Sequence, residues 1–420
     1  MTISKNKLTF VILCIVFKTT LEWAYVIQIY PLFSYMGFVI KYELTHYLIG
    51  NLLLLSILFL TPTKFTKTSS LFLNLYTTIY LIPLVILWSL NSNYSLDFLF
   101  IPISAFLIIL FLVSLAFSFK LKYPVIRSGN QIITIISVLF VIGLTILYLN
   151  TGVTLNFSLA KVYDFRENNA KLTDFGILAY TNVWTYKVFN MFLMALALLK
   201  RRYIWFMIFC TAQIYFFTAS AHKAVLFFPL LVLSSFWMFR RFTTFALFPI
   251  AYISLAVLAL VFAAVFEVTS LSSLFLRRVF LVPAFTTFSY FEFFKDNPQI
   301  IWSNSIFAAF YTYPYDTSIQ ELIGEYEGTY AYANAGFVPT GYAHIGFYGV
   351  IIYSIILAYA LRLLDSMTRM HLQNWFLIAM TLLPFRTIIL SSDLPTVFLS
   401  HGLFVIYLIF LMYRKEGVKY

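Results

Sequence analysis

Charge is scarce in this 420-residue chain. Only 10% of its residues are charged, against about a quarter in soluble domains. Two or three soluble domains would fit the length, and this composition excludes them. Disorder requires low hydrophobicity, and a hydrophobic share of 62% excludes it as well. Glycine is held to 14 residues, so no collagen-like or low-complexity tract is present. Cysteine is nearly missing: Cys14 and Cys210 both sit in apolar runs and read as neither a disulfide framework nor a zinc site. No G-x-x-x-x-G-K-[ST] occurs, so an ATP-driven pump would need a partner subunit. His222, His344 and His401 are far apart, with no i, i+4 His pair and no H-E-x-x-H. No metal and no other cofactor is therefore expected.

What is there describes an all-α polytopic membrane protein read as a single transmembrane domain, 1–420, with a mean hydropathy of +0.89. Aromatics reach 20%, with 48 Phe and 30 Tyr. That excess suits lipid-facing surfaces, interfacial belts and sugar-stacking platforms alike. Lys5 and Lys7 before an apolar run imitate a signal peptide. No small-residue cleavage site follows, and Lys18 and Glu22 interrupt the run, so it reads as an uncleaved first span. With about 20 mostly apolar residues per crossing, about 12 transmembrane helices are expected: 8–25, 44–62, 69–90, 98–118, 131–150, 177–199, 203–220, 224–239, 243–266, 346–364, 371–391 and 395–413. The nearly unbroken stretch 203–239 would be about 55 Å long as one helix, too long for one crossing. It reads as a tight hairpin with His222-Lys223 at its tip.

Lys and Arg set the expected orientation. With the N-terminus in the cytoplasm, most of the 28 basic residues fall on that side, including Lys64, Lys67, Arg201, Arg202, Arg240 and Arg241. Among the 16 acids only Asp365 and Glu416 join them. The net charge of +12 is then mainly a topology signal, and no nucleic-acid partner is expected. Both termini are expected in the cytoplasm. The expected outer face has three enlarged segments, 26–43, 151–176 and 267–345. Within the last, the apolar stretch 279–294 is expected to lie along the interface or re-enter the membrane.

Basic residues off the cytoplasmic side depart from the usual bias, and an anionic ligand there would explain them. Arg277 and Arg278 form a pair suited to diphosphate oxygens, because a guanidinium matches phosphate in a bidentate fork. The same pair could equally snorkel to the interface or pair with nearby acids such as Glu267. Arg166, Lys223 and Arg386 are the further candidates for diphosphate binding, and Lys18, Lys41, Lys187 and Lys295 complete the main set. The acids also lie outside. Glu321 and Glu325, with Glu327, are interleaved with tyrosines in QELIGEYEGTYAYANAGF. That mixture suits carbohydrate binding, and an ordinary solvated loop would look similar. A carboxylate or histidine near a sugar hydroxyl could act as general base, so Glu321, Glu325 and His344 are the catalytic candidates. Tyr163, Tyr342 and Asn334 are the sugar-binding candidates. Gly346 and Gly349 share a helical face, which serves close helix packing or an approach shaped around a lipid-linked ligand.

In these places the chain resembles the O-antigen polymerases of Gram-negative bacteria, the Wzy family. Tyr163-Asp164-Phe165-Arg166 sits in a mid-chain outer loop, and Ser220-Ala221-His222-Lys223 in a short hairpin. Leu276-Arg277-Arg278-Val279-Phe280-Leu281-Val282-Pro283 follows, then Asn334-Ala335-Gly336-Phe337 running into Gly346-x-x-Gly349-Val350. The resemblance covers most of the chain. It implies polymerisation of oligosaccharide repeat units carried on undecaprenyl diphosphate, at the periplasmic face of the bacterial inner membrane, without a metal. The implied partners are lipid-linked donor and acceptor, membrane lipids and a chain-length regulator protein. The neighbouring alternatives are an O-antigen ligase-like glycosyltransferase and a flippase or transporter of lipid-linked oligosaccharides. Related ligases carry a histidine in the outer segment before a G-x-x-G helix, and His344 lies close to that pattern.

Overall fold

The computed structural model describes residues 5–115, 126–156, 169, 171–173, 175–220, 222–368 and 372–413. Among them the chain is helical with no strands. In chain order the helices are α1 (Lys5–Met36), α2 (Leu44–Leu60), α3 (Thr68–Ser89), α4 (Leu96–Ser114), α5 (Gly129–Asn150), α6 (Leu178–Leu199), α7 (Tyr203–Ser220), α8 (Phe228–Phe239) and α9 (Leu247–Phe266). After these come α10 (Val282–Asp296), α11 (Ile319–Tyr326), α12 (Phe337–Thr368), α13 (Asn374–Leu390), α14 (Leu394–Leu399) and α15 (Leu403–Met412). Among the described residues eight helices are long and apolar enough to cross a membrane: α1, α3, α4, α5, α6, α7, α9 and α12. Shorter apolar helices α2, α8, α13 and α15 occupy the places of the other expected spans. The architecture is that of an α-helical membrane protein.

Two compact units are formed. Unit 1 comprises Met1–Ala116, Thr244–Arg362 and Phe385–Leu394, and unit 2 comprises Phe117–Thr243, Leu363–Pro384 and Pro395–Tyr420.

Unit 1 is built around α3, in which every residue from Thr68 to Ser89 is buried. A helix that is apolar all round belongs in a core. Several of its polar side chains bond locally: Thr77 and Thr78 donate to carbonyls four residues back, and Asn74 Nδ2 donates to the Pro62 carbonyl at 2.9 Å. The flanking α9 exposes Val257, Leu258, Val261 and Val265, a surface fit for lipid and not for water. Inside α1, Lys18 pairs with Glu22 at 2.5 Å and donates to Tyr47 Oη of α2 at 3.1 Å. This lysine, grouped by sequence with the off-cytoplasm cations, is buried and closed by an i, i+4 partner.

The expected outer segment 267–345 is mostly helical. Ser272–Leu281 is a run of wide π-helical turns leading directly into α10. The expected interfacial stretch 279–294 lies within this segment and packs inside unit 1. Tyr80 and Thr287 share a hydrogen bond at 3.1 Å, and Tyr94 stacks on Phe288 at 4.3 Å. Next, α11 opens with a Ser318/Glu321 capping box and lays Ile319 and Ile323 on Tyr290 and Phe294. The last expected piece is a half-helix. Residues 337–344 are helical and almost wholly buried, Phe337 packing against Phe72 and Tyr76. The chain then breaks at Ile345 and Gly346 (φ +61°) before the long apolar part of α12 begins. Gly341 and Gly349 meet across this break, and a methyl group on Gly349 would collide with the Gly341 carbonyl. The glycines therefore serve close packing of two helical arms.

In unit 2 the stretch 203–239 is two helices: α7 ends at Ser220, and a short turn Lys223–Leu226 leads to α8. Gln213 of α7 accepts from Asn190 of α6 at 2.5 Å and donates to the Tyr186 and Val225 carbonyls, closing a buried polar knot. The expected span 395–413 is broken between α14 and α15. Gly402, with φ +78°, lies tight against Val188 and Trp184, where an added Cβ would not fit.

Removing one member of a buried ion pair costs about 3–5 kcal/mol, whereas replacing both by apolar groups is close to neutral. Glu22→Gln should accordingly lower the melting temperature in detergent sharply, and Lys18→Met/Glu22→Leu should recover most of it. Equal melting of the single variant and the wild type would show that the pair has no structural part.

Candidate active site

Both arginines lie on the π-helical segment Ser272–Leu281, where successive side chains point in different directions. Arg277 faces inward at 7% exposure, and its neighbour Arg278 is exposed. The Arg277 guanidinium lies 4.2 Å over the Phe33 ring, donates from Nη2 to Ser273 Oγ at 3.0 Å and reaches Met36 Sδ at 3.4 Å from Nη1. A thioether and an aromatic face are weak compensation for a buried charge. Among the described residues no carboxylate lies within ion-pair distance of it. Burial, then the neighbouring Arg278, pushes its pKa below the usual arginine value. The result is a cation held in a dry, aromatic setting, the environment in which an anion is bound most strongly.

Three acids of the α11 region take three different places. Glu321 is the N3 residue of the capping box and accepts from Tyr332 Oη at 2.8 Å. Glu325 is exposed. Glu327 turns inward toward α10. Burial raises its pKa, partly offset by the Ser289 and Thr286 hydroxyls that face it. Its Oε1 is buried and has no hydrogen-bond partner among the described residues. Burial also raises the pKa of Glu292, and burial, then Glu292 and more weakly Glu327, pushes up the Tyr94 phenol. A carboxylate whose pKa is raised is a stronger base than an ordinary one and better suited to take a proton.

His344 ends the buried half-helix at 1% exposure. Its Nδ1 accepts from the Trp302 backbone N–H at 3.1 Å, which leaves the proton on Nε2, and Nε2 faces Asp393 Oδ2 at 3.6 Å. The imidazole stacks on the Trp302 indole at 4.6 Å. Trp302 Nε1 donates to Tyr353 Oη at 2.7 Å, and Tyr353 is hydrogen-bonded to Asp393 in turn. Ile301 and Trp302 both have positive φ, +50° and +53°. For a β-branched residue that is a strained conformation. Backbone bonds from Ile300 N to Ala343 O and from Ile301 N to His344 O, both 3.0 Å, hold it.

The remaining candidates are dispersed. Tyr342 packs its ring edge on Phe291 at 4.8 Å, and Asn334 is exposed, bonded to the Tyr332 carbonyl. Arg386 is half-buried on α13 within unit 1. Lys223, at the start of the turn after α7, belongs to unit 2. Arg166 and Tyr163 lie outside the described residues. Unit 1 thus gathers Arg277, Glu327 and the His344–Asp393 pair around α10 and the half-helix. Glu327 was visible only as one acid among several, because burial depends on which side of α11 the chain returns. Asp393 sits 49 positions from His344, and no local spacing joins them.

Arg277→Met removes a buried charge that has little compensation, so its melting temperature in detergent should equal or exceed that of the wild type. Inorganic diphosphate should raise the melting point of the wild type, by about 2.7 kcal/mol of stabilisation at a hundred times its dissociation constant. It should leave Arg277→Met unmoved. An equal rise in both proteins would exclude Arg277 as the anion ligand. Set beside known proteins, the chain matches no family model, no curated protein and no solved structure.

Proposed function

We propose that the chain polymerises undecaprenyl-diphosphate-linked oligosaccharide repeat units at the periplasmic face of the bacterial inner membrane, as an O-antigen polymerase. The fuller reading has twelve crossings, both termini in the cytoplasm and α11 on the periplasmic side. The observation that carries it is Arg277, a buried cation against an aromatic face, on a helical segment whose Thr286 and Ser289 hydroxyls farther along face the inward Glu327 carboxyl. From Arg277 to Thr286 that segment advances on the order of 13 Å. A cation on the leaving diphosphate and a base on the acceptor hydroxyl bracket a sugar at about this separation, with reacting atoms about 3 Å apart.

In the reaction, the acceptor hydroxyl oxygen attacks the anomeric carbon of the donor glycan and a new glycosidic bond forms. The bond from that carbon to the diphosphate oxygen breaks, and undecaprenyl diphosphate leaves with the electron pair. Arg277, with Arg278 at the rim, stabilises the developing charge on the leaving group. Glu327 takes the hydroxyl proton in its ionised form. Glu321, by contrast, is occupied in capping α11, and Glu325 faces solvent.

A second reading, transfer of a finished glycan to a different lipid-anchored acceptor as in the related ligases, is favoured by His344. Its Asp393 partner orients the ring as in a histidine general base, and Nδ1 would act as the base only on release of the Trp302 N–H that it now accepts. Deleting the gene separates the two: loss of a polymerase leaves a single repeat unit on the lipid core, and loss of a ligase leaves bare core.

Reconstituted with lipid-linked repeat units, the wild type should build a ladder of products. Arg277→Ala should slow chain extension about 100- to 1,000-fold. The rate should rise as pH passes upward through the raised Glu327 pKa, since the base must be ionised. Glu327→Gln should abolish extension while raising stability in the same pH range. The sign follows from linkage: a raised folded-state pKa favours the neutral acid, so its contribution is full at low pH and is lost as pH climbs through that pKa. Full activity in both variants would end this assignment.

A further inference from the structure

On α11 the apolar and acidic residues separate by helical phase. Ile319 and Ile323, four apart, are buried on α10, and Glu321 and Glu325, also four apart, lie on the opposite side. The chain then folds back over the helix. The backbone N–H groups of Thr329 and Tyr330 donate to the Gly324 carbonyl, and Ala333 N donates to the Gln320 carbonyl. This return presents three tyrosines to solvent: Tyr330 at 86% exposure, Tyr332 at 66% and Tyr326 at 50%.

Such exposure is costly for large aromatic rings and is not left to chance. Tyr330 is held in a left-handed backbone conformation, φ +52°, which a tyrosine rarely adopts. Tyr332 is fixed by its hydroxyl, which donates to Glu321 Oε1 at 2.8 Å, and Glu321 is itself fixed by the Ser318 cap. Hydrogen bonds from Tyr332 and Ser318 hold the Glu321 pKa below the usual glutamate value, so it stays ionised and keeps the ring in place. Beneath, Ile319, Ile323 and Ala333 are locked into the buried cluster with Tyr290 and Phe294. Exposed aromatic rings on a rigid base therefore stand beside ionised acceptors.

We infer that this tyrosine–carboxylate face of α11 is a carbohydrate-binding platform, which engages the glycan by stacking on Tyr330 and Tyr332 and by hydrogen bonds to Glu321 and Glu325. The inference rests on the glycan-transfer reading above and adds to it the surface that recognises sugar. The chemistry selects this occupant. Carboxylates repel anionic lipid headgroups and are costly against acyl chains. Sugar hydroxyls are donors that they accept, and the apolar C–H faces of pyranose rings match aromatic planes. The rings need no reordering on binding, which removes part of the entropic cost.

The test uses the full chain in detergent and, as probe, the water-soluble oligosaccharide released by mild acid from the producing cell's own lipid-linked repeat units. Binding is measured by calorimetry. The wild type should bind it, and Tyr330→Ala and Tyr332→Ala should each weaken affinity about tenfold. Tyr332→Phe, which keeps the ring and loses the Glu321 bond, should lose less. These side chains are exposed, so unchanged melting and gel-filtration profiles establish that the variants are folded. Absence of binding by the wild type, or equal affinity in the wild type and Tyr330→Ala/Tyr332→Ala, would overturn the platform. Its failure is distinct from failure of the transfer reading. Ladder formation that depends on Arg277 with no effect of the tyrosines sinks only the platform. Oligosaccharide binding without any ladder sinks polymerisation and leaves the platform standing.

Discussion

A charge taken into an apolar interior must find a partner there, and this constraint orders the structure. With so few charged residues, each buried one can be followed individually. Lys18 meets Glu22 and Tyr47 within one turn and a neighbouring helix. His344 faces Asp393 and is closed on its other nitrogen by a backbone N–H. Lys187 and His401 sit 3.0 Å apart within unit 2. Arg277 differs from these, since among the described residues its guanidinium meets a serine, a thioether and a phenyl face and no carboxylate lies at ion-pair distance. A buried guanidinium in that setting adds little to stability, and this is the feature on which the proposed anion site rests.

The backbone obeys the same constraint. A chain that turns back inside an apolar bundle exposes helix ends whose N–H and C=O groups need partners. The half-helix 337–344 meets this by packing: Gly341 and Gly349 bring its second arm close, and the strained pair Ile301-Trp302 delivers N–H groups to the His344 carbonyl and imidazole. The strain at these two residues is thus the means by which a deep helical end is satisfied. It also explains why the indole of Trp302 lands flat on His344 and within reach of Tyr353. One backbone device supplies both the satisfaction of the turn and the ordering of the ring.

Much of this was legible in the sequence, and the limits have a physical cause. The expected spans coincide in position with eight long helices and four shorter ones, because apolar runs of that length have few alternatives. The hairpin tip at His222-Lys223 was visible for the same reason. The break at Gly402 was not, since it answers the shapes of Val188 and Trp184, more than 200 residues away. Nor was the interior course of 272–296, whose polar residues, Thr286, Thr287 and Ser289, are those of an ordinary amphipathic surface until Tyr80 and Glu327 are seen to meet them. Arg277 and Arg278 are indistinguishable as letters. The helical rotation between neighbours, about 100°, turns one in and the other out once the segment packs in unit 1.

This last point bears on how such a site is assembled. A π-helical stretch shifts the helical phase of everything beyond it. Arg277, Phe280 and Leu281, three and four residues apart, are buried together, and from Thr286 to Phe291 α10 is buried all round. One segment places a cation against Phe33 and Met36 and a hydroxyl face against Glu327. The cation and the hydroxyls that face Glu327 are then carried on one segment, Ser272–Asp296, with no loop between them. That rigidity is what preorganised charge stabilisation requires, since dipoles and charges that need not move at the moment of reaction cost nothing to reorganise.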